Sequence, residues 1–230
     1  MCRVIASTKS TLLRHTLGLD APTAGDVRLL GADIHDVEEE RLKEIRSRIG
    51  VLFQGGALFT SMTVGENVAV VIRENTDLPE EIVRQMVRMK LALVGLEDAV
   101  DKFPEELSGG MRKRAAIARS IASDPDVVFC DEPSAGLDPV VATELDDLLI
   151  NLKELFDMTL VVVTHELESI KKIADRAYML DERKVIARGP LDEVMGSADA
   201  RVRGFFDRAA REKTARRSSL LEEVRAGGAR

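Results

Sequence analysis

The clearest pattern in this chain is an alternation of short apolar runs with segments of helical period. Val127-Val128-Phe129-Cys130, Leu160-Val161-Val162-Val163 and Ile49-Gly50-Val51-Leu52-Phe53 lack period-2 polarity, as expected of parallel strands buried on both faces. After Asp138-Pro139, leucines 145, 148, 149, 152 and 155 trace an amphipathic helix, and Glu38 to Glu44 reads as a short polar one. Leu12 to Leu17 predicts a further helix that Gly18 closes. From Ser61 to about Glu106 the period is helical, with Asp77-Leu78-Pro79 as a start signal. There Ile82, Met86, Met89 and Leu93 share one face, and the methionines read as core packing. Asp26 to Gly31 predicts a strand of a β layer, Ala177–Leu180 and Lys184–Ala187 closing strands, and Pro190 to Met195 a short helix. Alternating strands and helices predict an α/β fold with a mostly parallel sheet.

Residues 107 to 139 carry the candidate chemistry. Leu107-Ser108-Gly109-Gly110-Met111 is a tight glycine turn opening a helix, which presents free N–H groups and a positive dipole end to an anion. Asp131-Glu132 follow an apolar strand at its carboxyl end, where open α/β sheets bind their ligands. Adjacent carboxylates there suit a metal-holding aspartate and a glutamate that polarises water. Singly each feature is weak, because most acidic pairs after an apolar run merely open a solvated helix. In this order, with Gly136-Leu137-Asp138 close behind, they support one another.

The stretch LSGGMRKRAAIARSIASDPDVVFCDEPSAGLDP resembles the signature motif, Walker B motif and D-loop of ABC-type ATPases. More narrowly, FPEELSGGMRKRAAIAR, FQGGALF, Arg73-Glu74-Asn75-Thr76 and RVRGFFD are similar to the ATPase subunits of Mce/Mla lipid transporters. The resemblance implies a single P-loop NTPase domain over residues 1–230, with a partial antiparallel β layer and an α-helical subdomain inserted at about 60–106. It implies ATP and Mg2+ as cofactors. Lys9 would lie on the β- and γ-phosphates, with Thr11 in the same loop. Ser10, Asp131 and Gln54 would serve the metal, Asp131 through water. Glu132 would polarise the nucleophile, with Gln54 and His165 sensing the γ-phosphate. Ser108, Gly109, Gly110 and Asp138 would meet nucleotide across a homodimer, since a signature turn cannot easily reach its own protomer's phosphate.

The partners implied by the resemblance are a MlaE/YrbE-like integral-membrane permease docking near Leu58 and Phe59, associated MCE-domain lipid-binding proteins, and a second copy of the chain. The implied place is the cytoplasmic face of the cell (inner) membrane, and the cargo a lipid or other hydrophobic compound. Two other readings stay open. One is a subunit that keeps the fold while its phosphate loop is impaired; the other is a soluble ABC ATPase acting on ribosomes or DNA.

Composition bears on the choice. The longest apolar runs are too short to cross a bilayer, and no charged segment followed by an apolar one opens the chain, so export is not expected. Cys2 and Cys130 are too few for a disulfide framework, which fits a reducing cytosol. The net charge of −7 argues against a nucleic-acid partner and ranks the ribosome or DNA reading last. The charge is uneven. Residues 201–230 hold nine Lys/Arg against four Asp/Glu, a +5 extension on a −12 body. With Phe205 and Phe206 as apolar anchors, that extension reads either as an assembly element or as a solvated terminal helix.

The weak point is the approach to Lys9. Arg3, Ala6 and Thr8 stand six, three and one residues before it, where the family pattern has glycine. Glycine is needed there for φ > 0 and for bringing bare backbone to phosphate. The resemblance also leads one to expect a longer preceding segment, with strands of the antiparallel layer and an adenine-stacking aromatic. Residues 1–230 should therefore bind Mg·ATP more weakly than the same chain with Arg3, Ala6 and Thr8 changed to Gly. A non-Gly residue at φ > 0 costs on the order of 1–2 kcal/mol, and each lost phosphate N–H contact roughly 1.5–3 kcal/mol. Two such contacts amount to about 10²–10⁴ in affinity. Calorimetric titration of both chains measures the difference; micromolar binding by the unmodified chain, with no gain from the glycines, is the contrary result.

Overall fold

The computed structural model describes residues 1–6 and 9–207, with backbone alone at Ile5, Ala6, Lys9 and Ser10. The chain begins with β1 (Cys2–Ala6), α1 (Lys9–Thr16), β2 (Arg28–Leu29), β3 (Ala32–Asp33), α2 (Glu39–Ser47) and β4 (Ile49–Leu52). Helices α3 (Val64–Asn75), α4 (Glu80–Leu93) and α5 (Gly109–Ser120) follow, then β5 (Val127–Asp131), α6 (Pro139–Leu155) and β6 (Thr159–Val163). The last elements are α7 (Leu167–Ile173), β7 (Arg176–Asp181), β8 (Lys184–Pro190) and α8 (Leu191–Met195).

Six strands form one sheet in the order β4-β5-β6-β1-β7-β8, parallel except that β8 runs antiparallel to β7. The apolar runs lie inside it: Val128, Phe129, Cys130, Leu160, Val162 and Val163 are all buried. One face carries the main core, where Val4, Cys130 and Val162 meet Ala116, Ile117, Leu145, Leu149 and Ile170 of the flanking helices. On the other face Leu13 of α1 and Leu17 just after it cover Phe129, with Val51 and Val161 half-buried beside them. Gly18 ends α1 in the left-handed conformation, as its helix-closing position predicts.

Three expectations need correction. The run from Asp26 to Gly31 is no continuous strand: Arg28–Leu29 pairs with Ala32–Asp33, and Leu30 and Gly31 turn between them at φ 48° and 83°. Two consecutive positive φ values make the tight hairpin turn, and they end the strand early. The buried face of α4 is Val83, Val87, Lys90 and Leu91, whereas Ile82 and Met89 are 39% and 51% exposed. The segment carries apolar residues in two registers one position apart, and period alone cannot choose between faces about 100° apart. Phe205 and Phe206, stacked edge-to-face at 5.3 Å, pack against the chain's own core rather than standing free as anchors. The rest of the basic extension, beyond Asp207, lies outside the described residues. Among those described, no helix is long and apolar enough to cross a membrane.

The helical stretch between β4 and β5 is tied down by polar contacts, some of them buried. Thr63 and Glu66 form a capping box at the start of α3. The side chain of buried Asn67 bonds the N–H and carbonyl of Phe59 at 2.7 and 3.0 Å, fixing the loop that holds Phe59 half exposed. Lys90 is fully buried; its ammonium donates to the Asp124 carboxylate and lies 4.7 Å from the centre of the Phe156 ring. A buried charge persists only where it is paired, so this contact pins α4 to the loops that follow α5 and α6.

Close approach also fixes β4 against α5. A Cβ at Gly50 would stand 2.1 Å from the Ser120 carbonyl oxygen. Gly50→Ala should cost about 3 kcal/mol or more, lowering the thermal midpoint by roughly 6–12 °C. Gly55→Ala, where a Cβ meets nothing within 4 Å, serves as the control in scanning calorimetry. Equal midpoints would show that the β4–α5 contact yields without strain.

Candidate functional site

Parallel pairing puts the carboxyl ends of β4, β5, β6 and β1 along one edge of the sheet. Asp131 is the last residue of β5, and Glu132 follows at φ 48°, a left-handed conformation that a residue with a Cβ holds only when its surroundings impose it. The imposition is visible. The Glu132 N–H donates to the Val163 carbonyl at 2.8 Å, carrying the β5–β6 ladder one step past the strand end. The Glu132 carboxylate then meets the residues that follow β6: Thr164 Oγ1 donates to Oε2 at 3.2 Å, and His165 Nδ1 lies 2.7 Å from Oε1. Glu132 is 9% exposed, while the His165 side chain is 68% exposed. A buried carboxylate held by a hydroxyl and an open imidazole can accept a proton from water at the rim of the sheet.

The glycine turn lies against the segment that follows Glu132. Ser108 caps α5, its Oγ accepting the Met111 N–H at 3.3 Å. A Cβ at Gly109 would meet Leu137 at 3.7 Å, and one at Gly110 would meet Val141 at 2.9 Å. Asp138 caps α6, accepting the N–H groups of Val140 and Val141 at 3.0 and 3.1 Å. Gln54 is exposed in the turn after β4 rather than in the strand itself. Its carbonyl accepts from Lys113 Nζ, which also donates to the Glu132 carbonyl at 3.3 Å. Lys113 escapes notice in the sequence because Arg112-Lys113-Arg114 looks like a solvated basic run. In the fold it is buried, which pushes its ammonium pKa down against the opposing pull of Glu132 and Asp131.

The other end of the edge is built differently. β1 runs through Arg3 to Ala6, with Arg3 paired to Val161 and Arg176, and α1 begins at Lys9. The position six before Lys9 is therefore a ladder residue and not part of a loop. Thr8 lies outside the described residues, as do the side chains of Lys9 and Ser10; Thr11 is exposed on α1. A phosphate cradle needs successive N–H groups free of a ladder. Asp131, Glu132, Thr164 and His165 thus fit a Mg·ATP site, whereas Arg3 and Ala6 do not fit its phosphate loop. Among the described residues no group of three or more His, Cys, Asp or Glu could hold a metal by itself.

Behind the carboxylate runs a buried hydrogen-bonded chain that sequence reasoning missed, having no local signal. Ser134 Oγ donates to Glu166 Oε2 at 3.0 Å and lies 3.4 Å from Ser169 Oγ, which donates to Asp146 Oδ2 at 2.7 Å. Asp146 Oδ1 has no hydrogen-bond partner among the described residues. Burial pushes the Asp146 carboxyl up to about 6, with the Ser169 bond and Lys172 opposing. The fold thus favours the protonated form. The penalty is absent below the ordinary value of 3.8, grows as the pH rises, and is complete above about 6. Asp146→Asn cannot ionise, so its stability relative to the parent should rise by roughly 1–3 kcal/mol between about pH 4 and about pH 7.5. Urea unfolding at the two pH values measures this; a constant difference would remove the assignment.

The ABC transporter family model matches residues 7–135. The intermembrane phospholipid transport system ATP-binding protein MlaF of Haemophilus influenzae is 45% identical over 198 residues, covering 86% of this chain and 75% of that protein. The probable ribonucleotide transport ATP-binding protein mkl of Mycobacterium bovis is 41% identical over 86% of this chain and 55% of its own length. Among solved structures, the ATP-binding cassette MJ0796, a dimer in a post-hydrolysis state bound to ADP and Pi, superposes with a TM-score of 0.75 at 29% identity, covering 83% of this chain and 85% of that one. cbiO1 of Clostridium perfringens, part of the complex cbiONQ, does so with 0.76 at 28% identity, covering 96% and 87%. Matched by the family model over more than half its length, and spanning three quarters of a relative 45% identical to it, the chain belongs to the ABC transporter ATPases.

Proposed function

We propose that this chain is the ATP-binding and ATP-hydrolysing subunit of a membrane ABC transporter of the Mce/Mla type, moving phospholipid or another hydrophobic compound. The observation that carries the reading is the strained, buried Glu132 carboxylate held between Thr164 and His165 at the carboxyl edge of the sheet. The relatives' names bear on the cargo, MlaF being named for phospholipid transport and mkl for ribonucleotide, and the resemblance of FQGGALF and RVRGFFD to Mce/Mla ATPase subunits favours lipid.

When bound, Mg·ATP would supply the phosphoryl group and a cation to neutralise its developing charge. Lys9, Ser10 and Thr11 are the residues assigned to its phosphates and metal, with Asp131 and Gln54 beside the metal. Glu132 would orient the attacking water and take its proton, while Thr164 and His165 hold the carboxylate in place. Ser108, Gly109, Gly110 and Asp138 would close the site from a second copy, an arrangement the dimeric cassette MJ0796 supports. Phe59, half exposed and fixed by Asn67, with Arg119 5.8 Å above its ring, would meet the permease together with Leu58. The partners are then a permease, MCE-domain lipid-binding proteins and a second copy, at the cytoplasmic face of the membrane.

One observation favours a second reading, a subunit impaired in phosphate binding: Arg3 sits in the β1 ladder where the phosphate loop should open. A single experiment separates the two. In the chain bearing glycine at positions 3, 6 and 8, Glu132→Gln should leave ATP affinity intact and cut turnover about 10²-fold or more. Unchanged turnover would remove Glu132 from its role. If the glycine-bearing chain hydrolyses ATP and the unmodified chain does not, the impaired-subunit reading takes its place.

A further inference from the structure

Lys113 lies on the buried face of α5 with Ala116, Ile117 and Ser120. An ammonium has three N–H donors and no acceptor, and burying one is costly unless its donors are used. Two of them go to main-chain carbonyls, those of Gln54 and Glu132. Packing alone does not require a charge here, since an apolar chain of similar length would fill the same space. What the charge adds is a fixed distance between three elements: the turn after β4, the residue after β5, and α5.

Those elements serve different nucleotide sites. α5 begins at the Ser108-Gly109-Gly110 turn, which under the two-subunit reading above faces the nucleotide of the opposite subunit. Gln54 and Glu132 belong to the subunit's own site. We propose that Lys113 is a positioning residue that couples each subunit's own site to the turn it presents to its partner. Arg119, on the same helix, donates to the carbonyls of Gly56 and Ala57 at 3.0 and 2.6 Å, so the Gln54 turn is held at two places. Lys113 adds the connection to Glu132, whose backbone is already held at φ 48°. A shift of the first turn of α5 is therefore passed to Glu132 through this ammonium.

Amide hydrogen exchange on residues 1–230 tests the link without nucleotide. Ser108→Ala removes the cap of α5 and disturbs its first turn. In the parent it should speed exchange of peptides covering residues 53–57 and 131–135 about fivefold, the size of a lost helix cap. In Lys113→Met that response should vanish at 131–135, while residues 56–57, held by Arg119, still respond. Lys113→Arg should restore it. A lysine that merely packs would change basal exchange in Lys113→Met and leave the response to Ser108→Ala as it was, and that outcome overturns the proposal, as does a parent with no response at all. Should Lys113→Met not fold, Lys113→Gln keeps N–H donors without charge and must give a partial response. The two-subunit reading is checked separately, by sedimentation of the glycine-bearing Glu132→Gln chain with Mg·ATP. Its failure there would leave the intrachain link standing and remove only the second site it is said to serve.

Discussion

The bond from the Glu132 N–H to the Val163 carbonyl is the point at which the sheet becomes a site. A parallel ladder that stopped at Asp131 would leave the next residue free to follow the chain away from β6. Continuing the ladder by one step forces Glu132 into the left-handed region, at a cost of about 1–2 kcal/mol. The turn that results swings the carboxylate across to Thr164 and His165, which stand at the corresponding end of β6. The strain is borne by a rigid support, since β5 is paired on both sides and Val128, Phe129 and Cys130 are buried. Moving either strand by one register would separate the glutamate from both partners, so register is the constraint on which the rest depends.

How much of this was legible follows from what kind of signal each part leaves. Fully apolar runs announce buried parallel strands, so β4, β5 and β6 could be read directly, and an acidic pair straight after such a run falls at a sheet edge by topology alone. The role of His165 came only through resemblance, because a lone histidine after a strand carries no local mark. Lys113, Asn67, Lys90 and the Ser134–Ser169–Asp146 chain were invisible for one reason. Each is a polar residue whose burial is decided by a partner elsewhere in the chain, and period sees only neighbours three and four residues away. The misassigned face of α4 belongs to the same class: its true core face includes Lys90, which a hydrophobic pattern discounts.

The two ends of the site make opposite demands on the backbone. At β5 and β6 the ladder runs past the strand end and builds the site. At β1 the ladder again runs far along the chain, to Ala6, and there it competes with the site. β1 lies between β6 and β7, and Arg3 and Val4 are registered against both neighbours. Its start is held as firmly, with the Cys2 N–H on the Asp175 carboxylate at 2.6 Å. An N–H engaged in a ladder cannot also face a phosphate, which is why glycines that break the strand early matter more at this position than the charge of Lys9.

Cations placed between elements recur through the molecule, and each holds something the apolar core cannot. The hydrophobic effect is non-directional, so burial favours compactness without choosing which polar groups of neighbouring elements meet. A buried ammonium or guanidinium bonded to a carbonyl or carboxylate does choose, because losing its partner leaves a charge without solvation. Lys90 fixes α4 to the loops around Asp124 and Phe156; Arg119 fixes the turn beneath Phe59; Lys113 fixes Gln54 and Glu132 to α5. The Arg119 and Lys113 contacts run from the half-exposed surface around Phe59 to the strained glutamate, along α5 alone. Motion imposed at that surface would reach the carboxylate as displacement of hydrogen-bonded backbone, a stiffer connection than side-chain packing alone could give.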